Sequence, residues 1–185
     1  MMDLRIKTDL TSEVLKVDDV SAFIKFEDSD HGEEVALIDR MISSVRCHFE
    51  KRTGLAFAQK TFEVLFKYND KPFVLPVVPV ISVDKVETVD SEGTKTELIL
   101  NSGYNKRGLY EVEIRTSQMT SGYYDLLVTF KAGYGHADTE NLPYDLKEAM
   151  LKQVKQWYDN RDDFYEFKIL GSIDRILNLH KIKLI

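Results

Sequence analysis

The sequence is poor in the residues that build covalent or metal-centred chemistry. Cys47 is its one cysteine, so neither an internal disulfide nor a thiolate zinc cluster can form within the chain. A reducing compartment, such as a bacterial cytoplasm, is the expected setting. No apolar run is long enough to span a bilayer: the longest, around Leu75–Ile81, is broken by Pro76 and Pro79. Charges alternate with apolar groups from the first residues onward (Asp3, Arg5, Lys7, Asp9), which predicts no secretory leader and no membrane association. Internal repeats and low-complexity tracts are missing as well. The patterns G-x-x-x-x-G-K-[ST], G-x-G-x-x-G and G-x-S-x-G do not occur, which removes the familiar phosphate cradles and the nucleophile elbow.

Basic charge is also in short supply. Lys and Arg number 25 against 31 Asp and Glu, a net charge of −6. A duplex-gripping protein leans the other way, because phosphate neutralisation supplies most of its affinity. The imbalance is local. Residues 1–50 hold 6 basic and 12 acidic groups, whereas residues 164–185 hold 4 and 2.

What remains is the composition of a folded domain, 43% hydrophobic and 30% charged. Aromatics reach 11%, enough to fill a core or an interface. The pattern reads helix, then strands, then helix. A short helix is predicted near Val17–Lys25. A longer one follows, with Asp30 as N-cap and Glu33 three residues on. Its apolar stripe is Val35, Ile38, Ile42, Val45 and Phe49, and Lys51, Arg52 and Gly54 close it. From Ala58 to Lys131 the period becomes two. Phe62, Val64 and Phe66, then Tyr110, Val112 and Ile114, then Tyr124, Leu126, Val128 and Phe130 alternate with polar positions. Turn signals at Asn69-Asp70, Asp90–Gly93, Ser102-Gly103, Arg107-Gly108 and Ser121-Gly122 separate these runs. Strands this close together pair antiparallel. Pro143 then takes the first position of a second long helix with stripe Leu146, Met150, Val154, Trp157 and Tyr158, ending near Asn160–Asp163.

Candidate chemistry is thin. His31, His48, His136 and His180 form no H-E-x-x-H. Cys47 and His48 are neighbours on a helix and diverge by about 100°. His136, Asp138 and Glu140 share a loop but lack a fourth ligand. Glu111 and Glu113 fall on the polar side of a strand, and Gly133 and Gly135 let a strand end at positive φ. Trp157-Tyr158 could stack on bases, but the spacing to Val154 and Met150 favours core packing. Lys152, Lys155 and Arg161 read as a solvated helix face. No catalytic, cofactor-binding or metal-ligating residue is assigned, no cofactor is implied, and the chain is expected not to be an enzyme.

Taken in order, several segments resemble the head–tail connector (adaptor) proteins of tailed double-stranded-DNA bacteriophages. They are Leu15-Lys16-Val17 with Val20–Lys25, the helix end Phe49–Gly54, and the proline-bracketed Leu75–Val83. The turn Asp90–Gly93, the strand exit Val128–Gly135, and Leu142-Pro143 leading through Ala149 to Trp157–Arg161 complete the set. The resemblance spans most of residues 15–161; the first dozen residues and the tail from Ile173 depart from it. It implies an α+β fold: a helical bundle of two long helices plus short N- and C-terminal helices, with an antiparallel β-rich insertion. The whole is then one connector domain over residues 1–185, with helical parts about 15–54 and 143–180 and the insertion about 58–132. It implies a virion structural protein in the neck, present in the host cytoplasm before assembly. Such a protein forms a ring, typically a dodecamer, beneath the portal. It extends the channel used in DNA packaging and receives tail or neck proteins from below. Packaged DNA passes without tight binding, which suits acidic walls. Another neck component, a tail terminator or stopper, is the nearest alternative. A small-ligand binding protein or hydrolase on an α+β scaffold is the alternative from another class.

The tail, Phe164–Ile185, has two readings. Its apolar groups are too numerous to leave in water. As a docking segment it would offer Phe164, Phe167, Leu170, Ile173, Ile176, Leu177, Lys181 and Lys183 to a partner; otherwise it completes the helical part of the subunit.

The charge balance makes one prediction directly. Free protein at physiological salt should bind duplex DNA weakly or not at all in a fluorescence-anisotropy titration. A sub-micromolar dissociation constant that weakens steeply with added salt would reveal a phosphate-tracking surface and refute this reading.

Overall fold

In the computed structural model, residues 3–8, 13–25, 32–67, 73–99, 104–107, 111–114, 125–135, 141–160 and 168–182 are described. Among them the chain is mixed α and β, with four helices and eight strands. It divides into two compact units. One comprises Ser12–Phe57 and Asn141–Lys183, the other Met1–Thr11, Ala58–Glu140 and Leu184–Ile185.

The second unit is built on strands. A five-stranded antiparallel sheet has the order β1 (Asp3–Thr8), β2 (Lys60–Lys67), β8 (Asp125–Ala132), β4 (Val80–Val89), β5 (Lys95–Glu97). A small sheet joins β3 (Phe73–Val74), β7 (Glu111–Ile114) and β6 (Tyr104–Arg107), also antiparallel. Period-two alternation explains the large sheet. Phe62, Val64 and Phe66 stand opposite Phe130, Val128 and Leu126, and all six are buried. The Phe62 and Phe130 rings stack with centroids 5.5 Å apart, a cross-strand pair of the kind that stabilises a sheet by about 0.5–1 kcal/mol.

The opposite face of this sheet is a lattice of charge over Leu65 and Leu127. Lys7 meets Glu63 at 2.9 Å, Lys85 meets Glu87 at 2.8 Å, and Lys131 lies 3.5 Å from Asp84. The Lys7 hydrogen bond holds the Glu63 carboxyl below its usual value, against partial burial. Two register shifts interrupt β4, between Val80 and Ser82 and between Val83 and Lys85; they leave Ile81 and Asp84 without partners in the ladder.

Two glycines are required by geometry. Gly93, at φ +84°, closes the β4–β5 hairpin beside Asp90, whose carboxylate accepts the N–H groups of Glu92 and Thr94. Gly133, at φ +135°, leaves β8 where a Cβ would fall onto the Ala58 carbonyl; its N–H donates to the Pro79 carbonyl at 2.9 Å. Both turn positions were expected.

The first unit contains the helices: α1 (Val17–Ile24), α2 (Gly32–Thr53), α3 (Tyr144–Asp159) and α4 (Gly171–His180). α2 packs on α3, and α1 and α4 each pack on both. The apolar stripes do this. Ile38, Met41, Ile42, Val45 and Phe49 of α2 are fully buried, as are Leu146, Ala149, Met150 and Val154 of α3. α2 carries Glu33 and Glu34 in its first turn and Lys51 and Arg52 in its last, matching the helix dipole. Gly54, at φ +78°, ends it.

Three expectations change. Val35 is 38% exposed, so the stripe runs through Met41 instead. Pro143 is the N-cap, one place before the helix, in an extended conformation. β1 was not anticipated at all. The expected N-cap Asp30 and the turns at Asn69-Asp70, Ser102-Gly103 and Ser121-Gly122 lie outside the described residues, and of the turn at Arg107-Gly108 only Arg107, the last residue of β6, is described.

One cation ties this unit together. Arg46 is 4% exposed and sits between two carboxylates. Its Nε and Nη2 donate to Glu13 at 2.7 and 3.1 Å, and its Nη1 donates to Glu50 at 3.0 Å. Glu13 also accepts the Ser43 hydroxyl at 2.8 Å, and Glu50 accepts the Phe57 N–H at 2.9 Å. Burial pulls the guanidinium pKa down, but Glu13 and Glu50 outweigh it and hold it above its ordinary value. Removing the cation strands two desolvated carboxylates. Arg46→Met is therefore expected to cost about 3–5 kcal/mol in urea melts; a loss under about 1 kcal/mol would show that the clamp is a bystander.

Candidate interaction surface

α4 and the segment before it are held to the helical unit by polar contacts at both ends. Gln153 of α3 is fully buried. Its Nε2 donates to the Lys168 carbonyl at 3.2 Å and its Oε1 accepts the Leu170 N–H at 3.4 Å. Arg52 of α2 meets Asp174 at 2.7 Å. At the other end His180 Nε2 lies 2.7 Å from Asp145, and the Ile182 N–H donates to the Thr53 carbonyl at 2.9 Å.

α4 is amphipathic, and its phase separates the predicted partner-binding residues into two groups. Ile173 and Leu177, one turn apart, are buried at 1% and 0% exposure. They pack within the helical unit, so the expectation that they meet a partner is corrected for these two. Leu170 is 38% exposed, Ile176 half-buried and Lys181 exposed; these three stay at the surface. Phe164, Phe167 and Lys183 lie outside the described residues.

Two surface groups escaped the sequence reading. Leu179 is 82% exposed and Tyr144 is 87% exposed. The pair Asp145–His180 brings their positions to one end of the unit, since each is the chain neighbour of one partner. A signal for Leu179 existed: it lies two residues beyond Leu177, about 200° around the helix, and so faces outward if Leu177 faces in. Tyr144 follows Pro143 in the first turn and has no comparable signature.

No catalytic constellation emerges among the described residues. Among the described residues no group of three His, Cys, Asp or Glu side chains could hold a metal ion. His48 turns its ring edge to Trp157 at 6.0 Å, and Trp157 is 8% exposed, which places it in packing and not on a stacking platform. His31, His136, Asp138 and Glu140 lie outside the described residues, as do the side chains of Glu111 and Glu113. A hollow of about 200 Å³ on the charged face of the large sheet has Leu65, Leu127 and Val89 among its walls and Asp3, Arg5, Glu63 and Lys95 around them. Small-molecule sites usually enclose about 300–1,000 Å³.

The fold has counterparts among solved structures. A chain in the virion of a native gene transfer agent particle superposes with a TM-score of 0.74 at 21% identity, over 98% of this chain and 97% of that one. A chain in the neck of an empty gene transfer agent particle, computed with C6 symmetry, gives 0.74 at 20% identity, over 99% and 97%. One in the neck of the native particle, computed with C12 symmetry, gives 0.65 at 20% identity over the same shares. At this identity the likeness is one of fold. No protein-family model and no curated protein matches the chain.

The Asp145–His180 contact, which fixes the exposed end of α4, depends on pH. Partial burial pushes the Asp145 carboxyl up. The hydrogen bond and charge of His180 and the Leu146 N–H outweigh this and hold it below its usual value. A depressed carboxyl stabilises the fold above the ordinary carboxylate range, and the contribution is lost as pH falls through that range. Protection of the α4 amides, taken relative to their intrinsic exchange rate at each pH, should therefore fall on acidification through that range more in the wild type than in Asp145→Asn. An equal fall in both would remove this contact as the cause.

Proposed function

We propose that the chain is a structural subunit of the neck of a phage-like particle, a head–tail connector that forms a ring beneath the portal. In this reading the helical unit is the bundle of the connector proteins and the strands of the other unit are its β-rich insertion, together one connector domain. About twelve copies extend the DNA channel and offer a docking surface to a downstream neck or tail protein. The exposed Leu170, Ile176 and Lys181 contribute partner contacts, and Phe164, Phe167 and Lys183 are retained as candidates for the same role. The protein resides in the host cytoplasm until assembly and in the virion neck afterwards. It performs no catalysis.

The observation that carries this reading is the end-to-end fold likeness, over 98–99% of the chain, to chains in gene transfer agent virion and neck structures, one of them computed with C12 symmetry. It adds to the ordered connector-like segments between residues 15 and 161. The net charge of −6 suits a channel component that must release DNA as readily as it passes it. Fold alone does not assign function, but the small, mixed-charge hollow in the sheet gives the ligand-binding alternative no support.

Mixing with the portal of the same particle tests the proposal. Sedimentation of the mixture should show this chain co-migrating with portal at close to one copy per portal subunit. A chain that stays at monomer mass beside assembled portal would contradict the connector assignment.

A further inference from the structure

We draw no further inference here: the strongest candidate, the outer edge of β1 in the large sheet, where Leu4 and Ile6 stay 39% and 53% exposed beside the buried Val64 and Phe62, carries nothing, because nothing in the structure shows what covers it.

Discussion

The helical unit depends on the Arg46 guanidinium. It sits at 4% exposure between Glu13, which precedes α1, and Glu50, near the end of α2. Glu50 in turn takes the N–H of Phe57, past the helix stop at Gly54. Three stretches of chain that apolar packing would leave free to slide are thereby fixed in register. A buried ion pair adds little net stability compared with an apolar replacement, but a broken one is costly. Here its effect is positional: it sets where α1 lies against α2.

The two units divide the physical work. In the strand unit one face of the large sheet is apolar and buried, and the other is a lattice of short ion pairs above Leu65 and Leu127. Such a face is well solvated and specific in geometry, yet offers little apolar area to a partner. In the helical unit Tyr144 and Leu179 are the most exposed large apolar groups.

Much of this was legible in the sequence wherever one face of an element is buried. Periodicity located α2, α3, β2 and β8, because their inward residues are apolar and recur at the right spacing. Gly54, Gly93 and Gly133 marked stops and turns that the backbone requires. β1 was missed although Leu4 and Ile6 alternate with Asp3, Arg5 and Lys7. All six of its residues are exposed, so pattern strength could not distinguish it from a charged terminus. The bulges of β4 are set by pairing partners and leave no mark on the sequence. In the tail, counting apolar residues suggested a docking segment, while the helical phase of Ile173 and Leu177 puts those two inside. The exposed surface of α4 was therefore only partly readable: Leu170, Ile176 and Lys181 are among the residues the sequence pointed to that remain at the surface, but the exposure of Leu179 and Tyr144 needed the fold.

The central claim is that this chain is one repeat of a closed ring in a particle neck. Rotational symmetry measured on class averages of the portal-bound assembly by electron cryomicroscopy tests it most directly. The account predicts an annulus of cyclic symmetry with about twelve copies, every copy making the same two unlike contacts with its neighbours. A two-fold dimer, or density for this chain missing from the portal's tail-facing rim, would contradict it.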